Sequence, residues 1–122
     1  METNKIDLKT FYANSHKILW QSQQESEDQI INCYNADQHY TDCKVNHRLA
    51  ISNMIQELKK EGMQVTLIPD IAKGRCIETY RAMLEAENLK NRNINIKFAI
   101  LERIQTAKKI MSDIGEKINK GN

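Results

Sequence analysis

The chain has 122 residues, 40% hydrophobic and 28% charged, with a net charge of +2. That length predicts one domain, and the composition excludes a disordered chain. The longest wholly apolar run, Phe98-Ala99-Ile100-Leu101, is far short of the roughly 20 residues a membrane span needs, and the opening METNKIDLKTFYANSHK lacks the apolar centre of a secretory signal. The expectation is a cytoplasmic protein with no membrane partner, no cofactor and three free thiols at Cys33, Cys43 and Cys76.

Ile6, Leu8, Phe11, Tyr12, Ser15, Ile18 and Leu19 form an amphipathic helical pattern that ends at Trp20. The next nine residues, QSQQESEDQ, contain nothing apolar. Ser22 with Glu25, and Ser26 with Gln29, have capping-box spacing, which predicts a helix restart; the alternative is one continuous helix with a solvated turn. From residue 30 to 60 the period is helical again: Cys33, Ala36, Tyr40, Cys43, His47, Ala50 and Met54, extended by Ile51, Ile55 and Leu58. A helix over 26–60 would be about 52 Å long, whereas a compact chain of this size has a radius of gyration of about 14 Å. Either the helix breaks near 35–42, or the protein is elongated and an oligomer buries the overhang. With no Gly or Pro there, the second is expected.

Gly62 to Gly74, GMQVTLIPDIAKG, holds the only proline and two of the four glycines. It divides the chain into an arm (1–61), a connector (62–74) and a helical hairpin (75–119). Gly62 is expected to end the arm as a helix C-terminal cap, after Lys59 and Lys60 in the last turn. MQVTLI resembles a strand but has no partner, so a buried connector is expected. A helix over 70–88 would turn Ile77, Tyr80, Met83 and Leu84 inward. Four asparagines in 88–95 predict a loop. Ile100, Ile104, Ala107, Met111, Ile114 and Ile118 then alternate by four and three, a coiled-coil-like seam, before the tail KINKGN frays. The expected fold is all-α, with about four helices in one bundle-like domain: a long N-terminal helix pair and a C-terminal helical hairpin.

Charge is uneven along the chain. Residues 1–61 carry seven Lys/Arg and nine Asp/Glu; residues 62–122 carry eleven and seven. Between 88 and 109, Lys90, Arg92, Lys97, Arg103, Lys108 and Lys109 stand against Glu102 alone, a modest basic footprint. His39, Cys43 and His47 share one helical face at i, i+4 and i+8. A metal there would need Cys43 with one histidine and ligands from elsewhere, such as His16 or Cys76, because the outer two lie about 12 Å apart. The plainer expectation places Cys43 and His47 on the packing stripe and leaves the metal inventory at none. No P-loop, G-x-G-x-x-G, H-E-x-x-H or EF-hand loop occurs, and no Gly-rich turn presents a nucleophile, so no enzyme is expected.

In Gly62–Arg81, a short helix LIPDIAK capped by Thr66, a turn at Gly74 and a second helix offering Arg75 and Arg81 have the cadence of a helix-turn-helix. The Gly62-x-x-Val65 opening with Tyr80 in the second helix resembles the helix-turn-helix of some recombinases, and that resemblance implies DNA contacts from the second helix. Pro69, at a helical position, departs from it. The expected function is a small non-catalytic interaction protein, an adaptor or assembly subunit. It would act through self-association or a protein partner, with Ile51, Met54, Ile55, Leu58, Ile104, Met111 and Ile114 as interface residues and methionines as adaptable packing. The alternative is nucleic-acid binding through 62–81 and the basic surface 88–109.

Overall fold

The structure is a computed structural model that describes residues 3–120, with side chains from residue 7. The expected roles of Ile6 and of the last two residues of the KINKGN tail lie outside the described residues. Three α-helices follow in order: α1 (Thr3–Lys60), α2 (Ile68–Arg75) and α3 (Ile77–Lys120). No strand occurs among the described residues. The all-α expectation holds, but there are three helices rather than four: the expected N-terminal pair is the single helix α1, the expected C-terminal hairpin (75–119) is the single helix α3, and the short α2 lies between them. The chain divides into two compact units, residues 1–32 with 94–122, and residues 33–93. Both units contain a segment of α1 and a segment of α3, and the second also contains α2.

α1 neither restarts at 21–29 nor breaks at 35–42. Ser22, expected as a cap on a solvated turn, is only 1% exposed. Its position follows from a strict heptad rhythm. Ser15, Leu19, Ser22, Ser26 and Gln29 are buried or half-buried, with the large Phe11, Ile18 and Trp20 outside. The inward row of this first unit is thus small and polar, facing an α3 that contributes buried Ile100, Ile104 and Ala107. Glu25, freed from capping, reaches Arg103 at 2.9 Å. Tyr12 lies 4.0 Å from the point where a side chain on Gly115 would begin, so the two helix segments run antiparallel.

In the second unit, the segment where a break was the alternative (35–42) lies opposite the segment expected to be a loop (88–95), and contacts between them support both as helix. Lys90 pairs with Asp37 at 3.1 Å and lies 5.1 Å from the centre of the Tyr40 ring. The Cys33 thiol donates to the Asn93 carbonyl at 3.4 Å. Asn93 itself donates to the Leu89 carbonyl one turn back, at 2.9 Å, which satisfies its amide without leaving the helix. Asparagine costs a helix only about half a kcal/mol, a penalty that these contacts offset.

Gly62 ends α1 as expected, at φ +78°. Its N–H donates to the Lys59 carbonyl at 3.1 Å, and the Met63 N–H to the Leu58 carbonyl at 3.2 Å. This is the Schellman arrangement, and its hydrophobic contact is present: Met63 packs on the cluster of Leu58, Ile68 and Ala72. The following residues differ from a buried connector. Val65 is 76% exposed, and the apolar residue that turns in is Ile68, at 3%. Residues 68–75 are helix α2, with Leu67 rather than Thr66 at its N-cap and Pro69 in the first turn, where no N–H is required.

α3 starts one residue after α2 ends. Its inward row is Thr79, Met83, Ala86, Lys90 and Asn93 in the second unit, then Ile100, Ile104, Ala107, Met111, Ile114 and Ile118 in the first. Ile77, Tyr80 and Leu84, expected inside, are 45%, 43% and 39% exposed. The reason is register. Because the helix does not stop at 88–95, the seam that begins at Ile100 extends back in sevens through Asn93, Ala86 and Thr79, and the larger apolar residues rotate outward.

Candidate interaction surfaces

The seven residues expected at an interface are largely used within the chain. Leu58 has no exposed surface and is the centre of the second unit's core, with Met54 and Ile55 packed against it. Ile104 is buried, and Ile51, Met111 and Ile114 are half-buried. The apolar residues left free are others. Among the described residues, nineteen large hydrophobic side chains are exposed, whereas the buried apolar residues larger than alanine are Leu58, Ile68, Cys76, Ile100 and Ile104.

Two outward groups are regular. On the second unit's part of α3, Ile77, Tyr80 and Leu84 step by three and four. On the first unit's part, Phe98 at 59% and Leu101 at 37% exposure lie three apart, beside a half-buried Ile94. Both groups lie about a quarter to a third of a turn from the inward row, as expected of a helix with a second packing face. Recognising the continuity of α3 would have revealed them in the sequence, since the same heptad that places Ile100 inward places Phe98 and Leu84 outward.

Beside Ile77 and Tyr80 is a cleft of about 390 Å³, also lined by His47, Lys73 and Gly74. Its wall is held by a short relay. The Thr79 hydroxyl donates to the Cys76 carbonyl at 2.9 Å, which spends its one proton. His47 Nδ1, 2.9 Å from the same oxygen, must therefore be the donor of that second bond. The imidazole is tilted against Tyr80, with ring centres 5.5 Å apart. The other metal candidate, Cys43, has its Sγ 3.8 Å from His39 Nε2. No group of three metal-ligating side chains assembles among the described residues.

The expected nucleic-acid residues are dispersed and half of them are paired. Arg75 lies 4.0 Å from Glu61, and Arg81 lies 3.7 Å from Glu78. Lys90 pairs with Asp37 and Arg103 with Glu25. Arg92, Lys97, Lys108 and Lys109 are exposed. Lys90 and Arg92 belong to the second unit, and Lys97, Arg103, Lys108 and Lys109 to the first. No described helix is long and apolar enough to cross a membrane. No protein-family model, curated protein or solved structure matches the chain.

Proposed function

We propose that this chain is a small non-catalytic helical interaction protein, an adaptor or assembly subunit, whose outward apolar faces are covered by a copy of itself or by a protein partner. The supporting observation is the placing of apolar side chains within each unit: among the described residues nineteen large hydrophobic side chains are exposed, whereas five apolar residues larger than alanine are buried. Two helix segments have little interior, so the apolar side chains on their outer faces need a further layer.

Light scattering on the full chain, with dye binding to exposed apolar surface, tests this. The expected result is a mass that rises with concentration, or a monomer that binds dye strongly and loses that binding when a partner is added. A monomer at every concentration with no dye binding would refute it.

The helical form of residues 68–75, directly before α3, favours one second function, nucleic-acid binding through this corner. It predicts that duplex DNA or RNA binds with a steep salt dependence. Replacing Arg75, Arg81 and Arg92 by glutamine should then abolish most of the binding, and unchanged binding would dispose of it.

A further inference from the structure

Within the first unit, one flank of the antiparallel helix pair is apolar on both sides of an ion pair. Glu25 of α1 and Arg103 of α3 meet at 2.9 Å, each about half exposed. Stepping in sevens from that pair puts Ile18 beside Ile110, Phe11 beside Lys117 and Asn32 beside Ile96. All of these residues are exposed, and all belong to this unit. The unit's other exposed large hydrophobics lie elsewhere. Tyr12, Ile30 and Leu101 are toward the opposite flank, where Tyr12 approaches Gly115, and Trp20, Ile31 and Phe98 are on the outer backs of the helices. The opposite flank also carries Lys9, His16 and Lys108, with no carboxylate in the same rows.

We propose that a second copy of this chain docks on the Glu25–Arg103 flank, so that two such helix pairs form a four-helix bundle about a two-fold axis parallel to the helices. The inference rests on the interaction-protein function above and names the partner and the face. The axis sets α1 of one copy against α3 of the other, antiparallel and layer on layer. Charge selects this occupant. Glu25 then faces Arg103 of the second copy, and Arg103 faces its Glu25, which closes a ring of alternating charge. A guanidinium has five donors and a carboxylate two oxygens, so each side chain serves both partners. A two-fold axis across the helices would instead set Glu25 on Glu25 and Arg103 on Arg103. Pairing through the opposite flank would bring cations together with nothing to neutralise them. On either side of the ring, Ile18 meets Ile110 of the second copy, and Asn32 meets its Ile96. At the end of the flank the Phe11 ring meets the stem and ammonium of Lys117. One charged layer among apolar ones fixes the register, and from Phe11 to Asn32 the layers span roughly 30 Å of helix. The unit needs such a neighbour, because α1 gives its interior Ser15, Ser22 and Gln29, and the buried apolar residues are Ile100, Ile104 and Ala107 of α3.

Sedimentation velocity on the full chain, on Glu25→Arg, on Arg103→Glu and on a mixture of the two variants tests the docking. Each variant alone sets four like charges in the ring and should dimerise roughly tenfold or more weakly than the native chain. The mixture should recover pairing, since the arginines of one chain then face the glutamates of the other. Glu25→Arg combined with Arg103→Glu in one chain should dimerise like the native chain. Helical content should be native in every variant, because both side chains are about half exposed. A dimer indifferent to both single substitutions, or a mixture that pairs no better than its components, would overturn this flank while leaving an assembly function standing. A native chain that stays monomeric at high micromolar concentration yet binds apolar dye would overturn self-pairing and leave a different protein as the partner.

Discussion

Ser22 is the residue where the chain departs furthest from its expected role. Its hydroxyl is buried without a hydrogen-bond partner, in the middle of a helix. An unsatisfied buried hydroxyl costs about 1–3 kcal/mol, and alanine is the better helix former. Ser22→Ala should therefore raise unfolding free energy by about 1 kcal/mol in urea titrations, and a loss would show that the hydroxyl is satisfied in solution. The glycines divide by backbone conformation. Gly62 sits at φ +78° with open space around its α-carbon, so Gly62→Ala should destabilise by about 1 kcal/mol through backbone strain alone. Gly74 is helical and equally uncrowded, so Gly74→Ala should stabilise by about 0.5–1 kcal/mol. Thermal melts of the two variants should shift in opposite directions. Gly62 was legible from the sequence because a helix cap is a local signal. Ser22 was not, since its burial depends on the α3 residues opposite.

At the scale of elements, the row from Cys33 to Met54 and the seam from Ile100 to Ile118 were readable, because each repeats often enough to define its own face. The continuity of α3 was not. Four asparagines between 88 and 95 favour a loop locally, and what holds them helical is tertiary: Asp37 and Tyr40 on Lys90, and Cys33 on Asn93. With a loop at 88–95, bulk alone sets the register of residues 77–84, which puts Ile77, Tyr80 and Leu84 inward, one position away from Cys76, Thr79 and Met83, the residues that turn in. Lys90→Ala should accordingly lower protection of the 88–95 amides in hydrogen exchange more than that of the α3 seam near Ile104; uniform change across α3 would contradict this. The corner between α1 and α2 depends on one side chain. Leu58→Ala removes the fully buried centre of the Leu58–Ile68–Ala72 cluster and should cost about 2–4 kcal/mol in denaturant unfolding.

For the whole molecule, the outcome is a chain whose inward rows are small or polar over much of α1 and whose large apolar residues face outward. Ser15, Ser22, Ala36 and Cys43 occupy seam positions, while Phe11, Trp20, Tyr34 and Phe98 do not. Such a distribution is costly for an isolated chain and expected of a subunit. Composition could not reveal this, since 40% hydrophobic residues is compatible with either arrangement. The claim that protein covers these faces is tested most directly by oxidative footprinting of the full chain across a dilution series, following Tyr80 and Phe98. The account predicts that both side chains oxidise readily when dilute and that each becomes protected as concentration rises or when a partner protein is added. Reactivity that stays high and unchanged up to the concentration limit, with no partner protein altering it, would contradict the account.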